Sequence, residues 1–208
     1  MTKGFIITGT DTGIGKTVVA AMLTLALDAN YWKPVQSGTQ DGTDTLTVKA
    51  LTGLPDDRFL AEAYVLTQPL SPHRSAELDG VTIDIADLSL PASDKLLIVE
   101  GAGGLMVPMT RQLKQIDLFG TWELPIILCA RTGLGTINHT LLSIEALRWR
   151  EMDLHGLIFI GDDNPDTIRT IAEMSGETVL GRLPMLDAPT PDALVHAFAE
   201  HFRTEDFV

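Results

Sequence analysis

The chain has 208 residues with 28 acidic against 15 basic side chains, a formal net charge of −13. Affinity for nucleic acid rests on lysine and arginine displacing counterions from phosphates, so this balance, with no basic cluster anywhere, argues against a nucleic-acid surface. Cys129 is the only cysteine, which excludes an intramolecular disulfide and any multi-cysteine metal site and fits a reducing cytoplasm, and no apolar run approaches the ~18 residues that span a membrane.

The first element is GFIIT (4–8), a short, continuous, branched run that predicts a buried strand. It gives way to GTDTGIGKT, after which small and apolar residues at helical spacing predict a helix over 16–28. Gly9, Gly13 and Gly15 let backbone N–H groups converge on an anion. The helix start aims about half a positive charge at that anion, Lys16 adds a full charge, and the Thr17 hydroxyl can take Mg2+. The spacing is G-x5-G-K-T, with Thr10 where the commoner pattern has its first glycine, but the flanking strand and helix are the context that a phosphate-binding loop demands. The same residues make a poor dinucleotide fingerprint, because Gly13-Ile14-Gly15-Lys16-Thr17-Val18 ends in valine where glycine is needed.

YWKPV (31–35) reads as a weaker strand, with Lys33 and Ser37 on either side of Pro34. Lys33 is either a solvated lysine or a charge at a transferred phosphate, and its position alone leaves both open. Asp41 and Asp44 in DGTDTLTV are equally placed as metal-binding acids, and helix capping explains either one as well. Residues 37–95 are the least periodic part of the chain. KLLIVE (95–100) predicts a buried strand ending in Glu100, and three glycines within the next four residues let backbone approach a ligand. An acid there stands in the crevice where open α/β sheets bind ligands, and Mg2+ wants such hard oxygens.

PIILCA (125–130) is a further strand. RTGLGTINHTLLSIEALRW is a second glycine loop running into a helix over 136–151, with Ile137, Leu141, Ile144 and Leu147 on one face. Thr136 or Asn138 could cap it, and its free N–H groups make another anion site, although a plain capped helix explains the same residues. GLIFI (156–160) and a weaker ETVLG (177–181) read as strands, and 165–175 and 190–203 as helices, the latter with Thr190 as cap and Pro191 in the first position. Strand and helix alternation predicts a doubly wound α/β fold, a mostly parallel sheet with helices on both faces, in one domain over 1–208. The histidines show no metal-ligand spacing, and there is no G-x-S-x-G elbow.

TGTDTGIGKT, KPVQSG, SPH, VEGAGG and LGTINHT, in this order, resemble the dethiobiotin synthetase family over most of the chain. The resemblance implies a P-loop NTPase fold, a homodimer, and the use of ATP, Mg2+ and CO2 to close a cyclic urea on 7,8-diaminopelargonic acid. It assigns the phosphates to Lys16 and the loop from Gly13 to Val18, with Ile14, Gly15, Thr17, Glu100, Gly103, Pro184 and Leu186 in the nucleotide set. It surrounds Mg2+ with Thr17, Asp44 and Glu100, choosing Asp44 over Asp41. Lys33 and Ser37 would face the carbamate and the transferred phosphoryl group, with Thr12 beside them, and Gly135, Thr136, Ile137 and Asn138 would bind the substrate carboxylate from the neighbouring subunit. Three features depart from the family pattern. Gly13 stands where many members carry glutamate, Gly161-Asp162-Asp163 stands where an asparagine often reads the nucleobase, and Glu77 to Lys95 is short for the helix usual there. A partition or septum-site ATPase of the ParA and MinD type is the rival from another class, but Asp11 stands where those proteins carry an extra lysine and no C-terminal membrane helix is evident.

Overall fold

In the computed structural model, which describes residues 2–207, the strands in chain order are β1 (Gly4–Gly9), β2 (Asn30–Trp32), β3 (Val35–Ser37), β4 (Phe59–Leu60), β5 (Tyr64–Leu66), β6 (Leu97–Gly104), β7 (Ile126–Arg131), β8 (Leu154–Ile160) and β9 (Val179–Leu183). Seven of them form one sheet in the order β4-β2-β6-β1-β7-β8-β9, every pairing parallel. A parallel sheet covered on both faces needs near-continuous apolar strands, and β1, β6 and β7 carry such runs, which end at Thr8, Glu100 and Arg131. Alternate side chains serve opposite layers. Ile7, Ile98 and Ile127 pack beneath the helices α1 (Lys16–Ala26) and α7 (Pro191–His201). Ile6, Val99 and Ile126 pack on the other face, against α4 (Gln115–Trp122) and the end of α5 (Thr136–Arg148). Helix α6 (Pro165–Ser175) flanks α5 over β7 and β8.

The strand order puts β1 in the middle, so the loop that follows it opens between β6 and β7 at the carboxyl edge, where ligands bind in folds of this kind. Thr190 caps α7 by accepting from the Ala193 N–H, as its sequence predicts. Helices α1, α5 and α7 stop earlier than their apolar patterns suggest, and for α1 and α5 the cause is local. Asp28 (φ 50°) and Glu151 (φ 54°) take left-handed conformations that carry the chain out of the helical path.

The weakly periodic middle holds more structure than its pattern predicts. Helices α2 (Asp44–Thr52) and α3 (Pro72–Asp79) are short and bury few apolar side chains, only Val48 and Leu51 from α2 and Pro72 and Ala76 from α3. YWKPV is not one strand. It breaks at Lys33-Pro34, β2 staying in the main sheet while β3 pairs with β5 in a separate two-stranded ribbon. Strand β6 runs four residues beyond Glu100, so the glycines that follow the acid belong to the strand, with Gly103 (φ 72°) left-handed and Gly104 paired with Gly9 of β1. The short segment before β6 holds only a 3₁₀ turn at Ile85–Leu88. No described helix is long and apolar enough to cross a membrane.

Candidate active site

Helix α1 begins without a side-chain cap. Gly15 is its N-cap residue in a left-handed conformation (φ 102°), which leaves the first-turn N–H groups facing the loop. A Cβ on Gly15 would approach Ile160 Cγ2 to 3.1 Å, so the tight turn needs glycine for space as well as for φ. Lys16 is almost buried and donates to the Asp11 carbonyl at 2.7 Å. Burial pulls its pKa below the ordinary lysine value, and the charge on Glu100 opposes that pull. The Arg131 guanidinium reaches over the same loop to the Gly13 carbonyl at 3.1 Å and has no carboxylate partner among the described residues.

Behind the loop, three side chains converge on Glu100, which is 1% exposed and therefore not a solvated strand end. Thr17 Oγ1 lies 2.9 Å from Glu100 Oε1 and 3.2 Å from Asp44 Oδ1. Lys33 Nζ lies 3.0 Å from Glu100 Oε1, 2.7 Å from Asp44 Oδ2 and 3.1 Å from the Gly101 carbonyl. Tyr31 donates to Glu100 Oε2 at 2.9 Å. Burial works against the charge on Lys33, but Glu100 and Asp44 outweigh it and hold the ammonium above the ordinary lysine pKa. Lys33 is thus not a solvated lysine. It directly follows β2 and is clamped between two acids.

Asp44 is the acid brought into the site, while Asp41 is exposed in the preceding loop. Neither caps α2, because Thr43 does so by accepting from Leu46 N–H. The start of α2 is fixed by Gln36, whose side-chain oxygen accepts from the Asp44 N–H at 3.0 Å while its amide donates to the Gly38 carbonyl. Ser37 follows in β3, and its buried hydroxyl has no hydrogen-bond partner. The Thr17 hydroxyl and the two carboxylates make a hard oxygen set suited to a magnesium ion, which binds through one or two carboxylates and keeps waters and phosphate oxygens for the rest. That set is smaller than an all-protein cage, and no cluster of three or more His, Cys, Asp or Glu that could hold a metal occurs among the described residues.

Two clefts open on either side of the loop. One of about 520 Å³ is lined by Gly13, Ile14, Gly15 and Val18, by Ile160 to Asp162, and by Pro184 and Leu186 after β9. Gly161 lies here with φ 129°, and a Cβ would come within 2.7 Å of Thr132 Oγ1, which accounts for the missing side chain at this wall. The other, of about 300 Å³, gathers Thr12, Lys33, Ser37, Asp44 and Gly103. Gly103 (φ 72°) leaves no room for a Cβ, which would meet Thr12 Oγ1 at 3.0 Å.

Gly135, Thr136, Ile137 and Asn138 line neither cleft. The expected side-chain cap of α5 is also absent. Gly135 (φ 91°) is the N-cap residue, Thr136 donates instead to the Arg131 carbonyl at 2.6 Å, and Asn138 is exposed. Leu134 is fully exposed, and Leu142 and Trp149 continue an uncovered apolar ridge along α5. Cys129, in β7 under the loop, is fully buried, and burial pushes its thiol up to about 12.

Tyr31, Gln36 and Arg131 are the site neighbours that the sequence pattern did not single out. Tyr31 reads as an ordinary apolar strand residue, Gln36 lies inside a recognised motif without a distinguishing chemistry, and Arg131 shows itself only as a charge closing the apolar run of β7.

Residues 3–193 match a family described as an AAA domain. The chain is 59% identical over its whole length to the ATP-dependent dethiobiotin synthetase BioD of Rhodopseudomonas palustris (strain HaA2), covering 98% of that protein. It is 55% identical over its whole length to the protein of the same name from Agrobacterium fabrum, again covering 98% of it. Among solved structures, it resembles a ParA family ATPase from Chlorobium tepidum with a TM-score of 0.52 at 12% identity, over 96% of this chain and 98% of that one. It also resembles the septum site-determining protein MinD from Pyrococcus horikoshii, complexed with Mg-ADP, with a TM-score of 0.55 at 14% identity, over 95% of this chain and 86% of that one. At such identities the last two likenesses establish the P-loop fold alone.

Proposed function

The chain belongs to the family of ATP-dependent dethiobiotin synthetases, and from that premise we propose how its site closes the ureido ring of dethiobiotin from 7,8-diaminopelargonic acid and CO2, with residues 1–208 acting as one synthetase domain. One amine of the diamine adds to CO2 and loses a proton, giving a carbamate. The carbamate oxygen takes the γ-phosphoryl group of ATP and ADP leaves. The second amine attacks the carbamate carbon and gives up a proton, phosphate departs, and the ring closes.

The observation that carries this reading is the Lys33 ammonium held between Asp44 and Glu100 beside Thr17 and the unpartnered Ser37 hydroxyl. Because its acids keep Lys33 protonated, it serves as a fixed positive charge for the carbamate and the moving phosphoryl group, not as a base. Lys16 and the free N–H groups of α1 hold the phosphates. Thr17, Asp44 and Glu100 would hold Mg2+, which would supply positive charge to offset that of the phosphate oxygens. Ser37 and Thr12 orient the carbamate end of the substrate. Asp44, the only carboxylate among the described residues lining this cleft, is engaged with Lys33. No dedicated base is required, because the cations around the cleft lower the pKa of the substrate ammonium groups, so that free amine is available.

The larger cleft holds the nucleoside, with Pro184 and Leu186 against the base. Its wall at Gly161 offers no side chain to read the base, and this supports tolerance of other triphosphates. Gly135 to Asn138 bind the substrate carboxylate of a neighbouring subunit across the apolar ridge of α5, in a cytoplasmic homodimer. The switch-ATPase alternative is disfavoured by Asp11, which puts a negative charge where that class needs a lysine. Phosphate release from MgATP and bicarbonate, with and without the diamine, together with mass detection of dethiobiotin, tests the proposal. One product per diamine-dependent phosphate is expected, and ATP hydrolysis indifferent to the diamine would overturn it. Repeating the assay with CTP and GTP tests the open wall.

A further inference from the structure

The two oxygens of Glu100 have unequal company. Oε1 meets both Thr17 Oγ1 and Lys33 Nζ, whereas Oε2 has a single described partner, the Tyr31 hydroxyl. Both residues are sealed from solvent, Glu100 at 1% exposure and Tyr31 at 0%. Tyr31 stands in β2 opposite Ile98 of β6, two positions before Glu100 on that strand, and its ring is held edge-on by Phe59 of the neighbouring strand at 6.3 Å. The register and this contact place the phenol with its hydroxyl on Oε2.

A buried carboxylate with one oxygen unfilled either pays several-fold in desolvation or turns to share its remaining donors. For Glu100, a full half-turn about its last torsion merely exchanges two equivalent oxygens, whereas a partial turn would swing Oε1 off Thr17 and Lys33. The broad two-fold rotamer of a glutamate carboxylate offers little resistance to such a turn. The Tyr31 hydroxyl supplies it. Groups that hold a ligating carboxylate from behind commonly matter ~10- to 100-fold for metal affinity.

We propose that Tyr31 is a positioning residue of this site: its buried hydroxyl pins Glu100 Oε2 so that Oε1 points at Thr17, Lys33 and the metal-bearing phosphates. The inference rests on reading Glu100 as an acid that faces a nucleotide-bound divalent cation. It differs from the plain alternative, in which a core tyrosine merely satisfies its own hydroxyl.

Tyr31→Phe keeps the ring and removes only the oxygen. ADP affinity is measured calorimetrically with Mg2+ and with chelator, in wild type, Y31F, E100Q and Y31F/E100Q. The expected result is a Y31F protein whose metal-free ADP affinity stays within two-fold of wild type while the gain on adding Mg2+ falls about ten-fold. In the E100Q background, Y31F should then change nothing, since the residue through which it acts is already altered. A Y31F protein with the full Mg2+ gain would overturn the proposal. So would equal losses with and without metal, or an undiminished Y31F effect in E100Q, because those are the marks of a packing role. A wild type with no Mg2+ gain at all would instead sink the reading of Glu100 on which the proposal stands.

Discussion

The two glycine loops of this protein, Gly9 to Thr17 after β1 and Arg131 to Asn138 after β7, are built alike and finished differently. Each turns a parallel strand into a helix through a left-handed glycine N-cap, Gly15 or Gly135, with no side chain on the helix's free N–H groups. Around Gly15 the chain closes in: a Cβ would press on Ile160, Lys16 follows it directly, and Lys33 stands behind with its two acids. Around Gly135 nothing lies within 4 Å of the same position, and Leu134 is fully exposed. The first loop is enclosed by its own chain. The second has no such surroundings there, and a strand-glycine-helix motif by itself does not distinguish the two.

The comparison can be broken most sharply at Lys33. Lys33→Ala should lower kcat in coupled phosphate release by about 10² to 10³, as the loss of one charge-stabilising donor does. A mutant within a few-fold of wild type would remove the chemistry from the first loop's cleft. Next in size is Leu142→Asp on the exposed ridge of α5. A charge in an apolar interface should shift the sedimentation of the protein from dimer to monomer and raise the KM for the diamine about ten-fold, leaving ADP affinity unchanged. A dimer that survives this change would mean that the second loop is completed elsewhere, or by nothing.

A smaller effect sharpens the contrast through protons. The pKa of Lys16 lies below the ordinary lysine value of 10.5 because of burial, and a bound phosphate favours its charged form. ADP binding should therefore take up protons at alkaline pH below 10.5, read from binding heats in buffers of different ionisation enthalpy. Proton release there would contradict it. The smallest effect lies outside both loops. Hydrogen bonds from Arg111 and Arg74 lower Glu77 from 4.5 to about 2, so its contribution to stability is present above 4.5 and is lost as the pH falls toward 2. Glu77 is on the surface, so Glu77→Gln should change the melting temperature only slightly at pH 7, and by less still as the pH falls through that window.

How much of this was legible in the sequence depends on where each residue gets its information. The strands around the first loop are buried on both faces, so their apolar runs announce them, and Lys16, Thr17 and Glu100 follow from strand ends and spacing. Helices α2 and α3 were silent because they bury too few apolar side chains to make a period. Lys33 and Asp44 were ambiguous for the related reason that their meaning is a contact between distant segments: what fixes Asp44 is Gln36, and what fixes Lys33 is Glu100 on another strand. Thr136 and Asn138 have the right chemistry to cap α5, but the cap position is taken by Gly135 in a left-handed conformation, which leaves both inside the helix.

The burial of Cys129 has a practical corollary. With its only thiol inside the sheet and its pKa near 12, the native protein offers almost no thiolate to a labelling reagent at neutral pH. A cysteine introduced at Leu134 would be a chemically unique address. A spin label or fluorophore placed there would report the distance between two copies of the second loop, with no background from the rest of the chain.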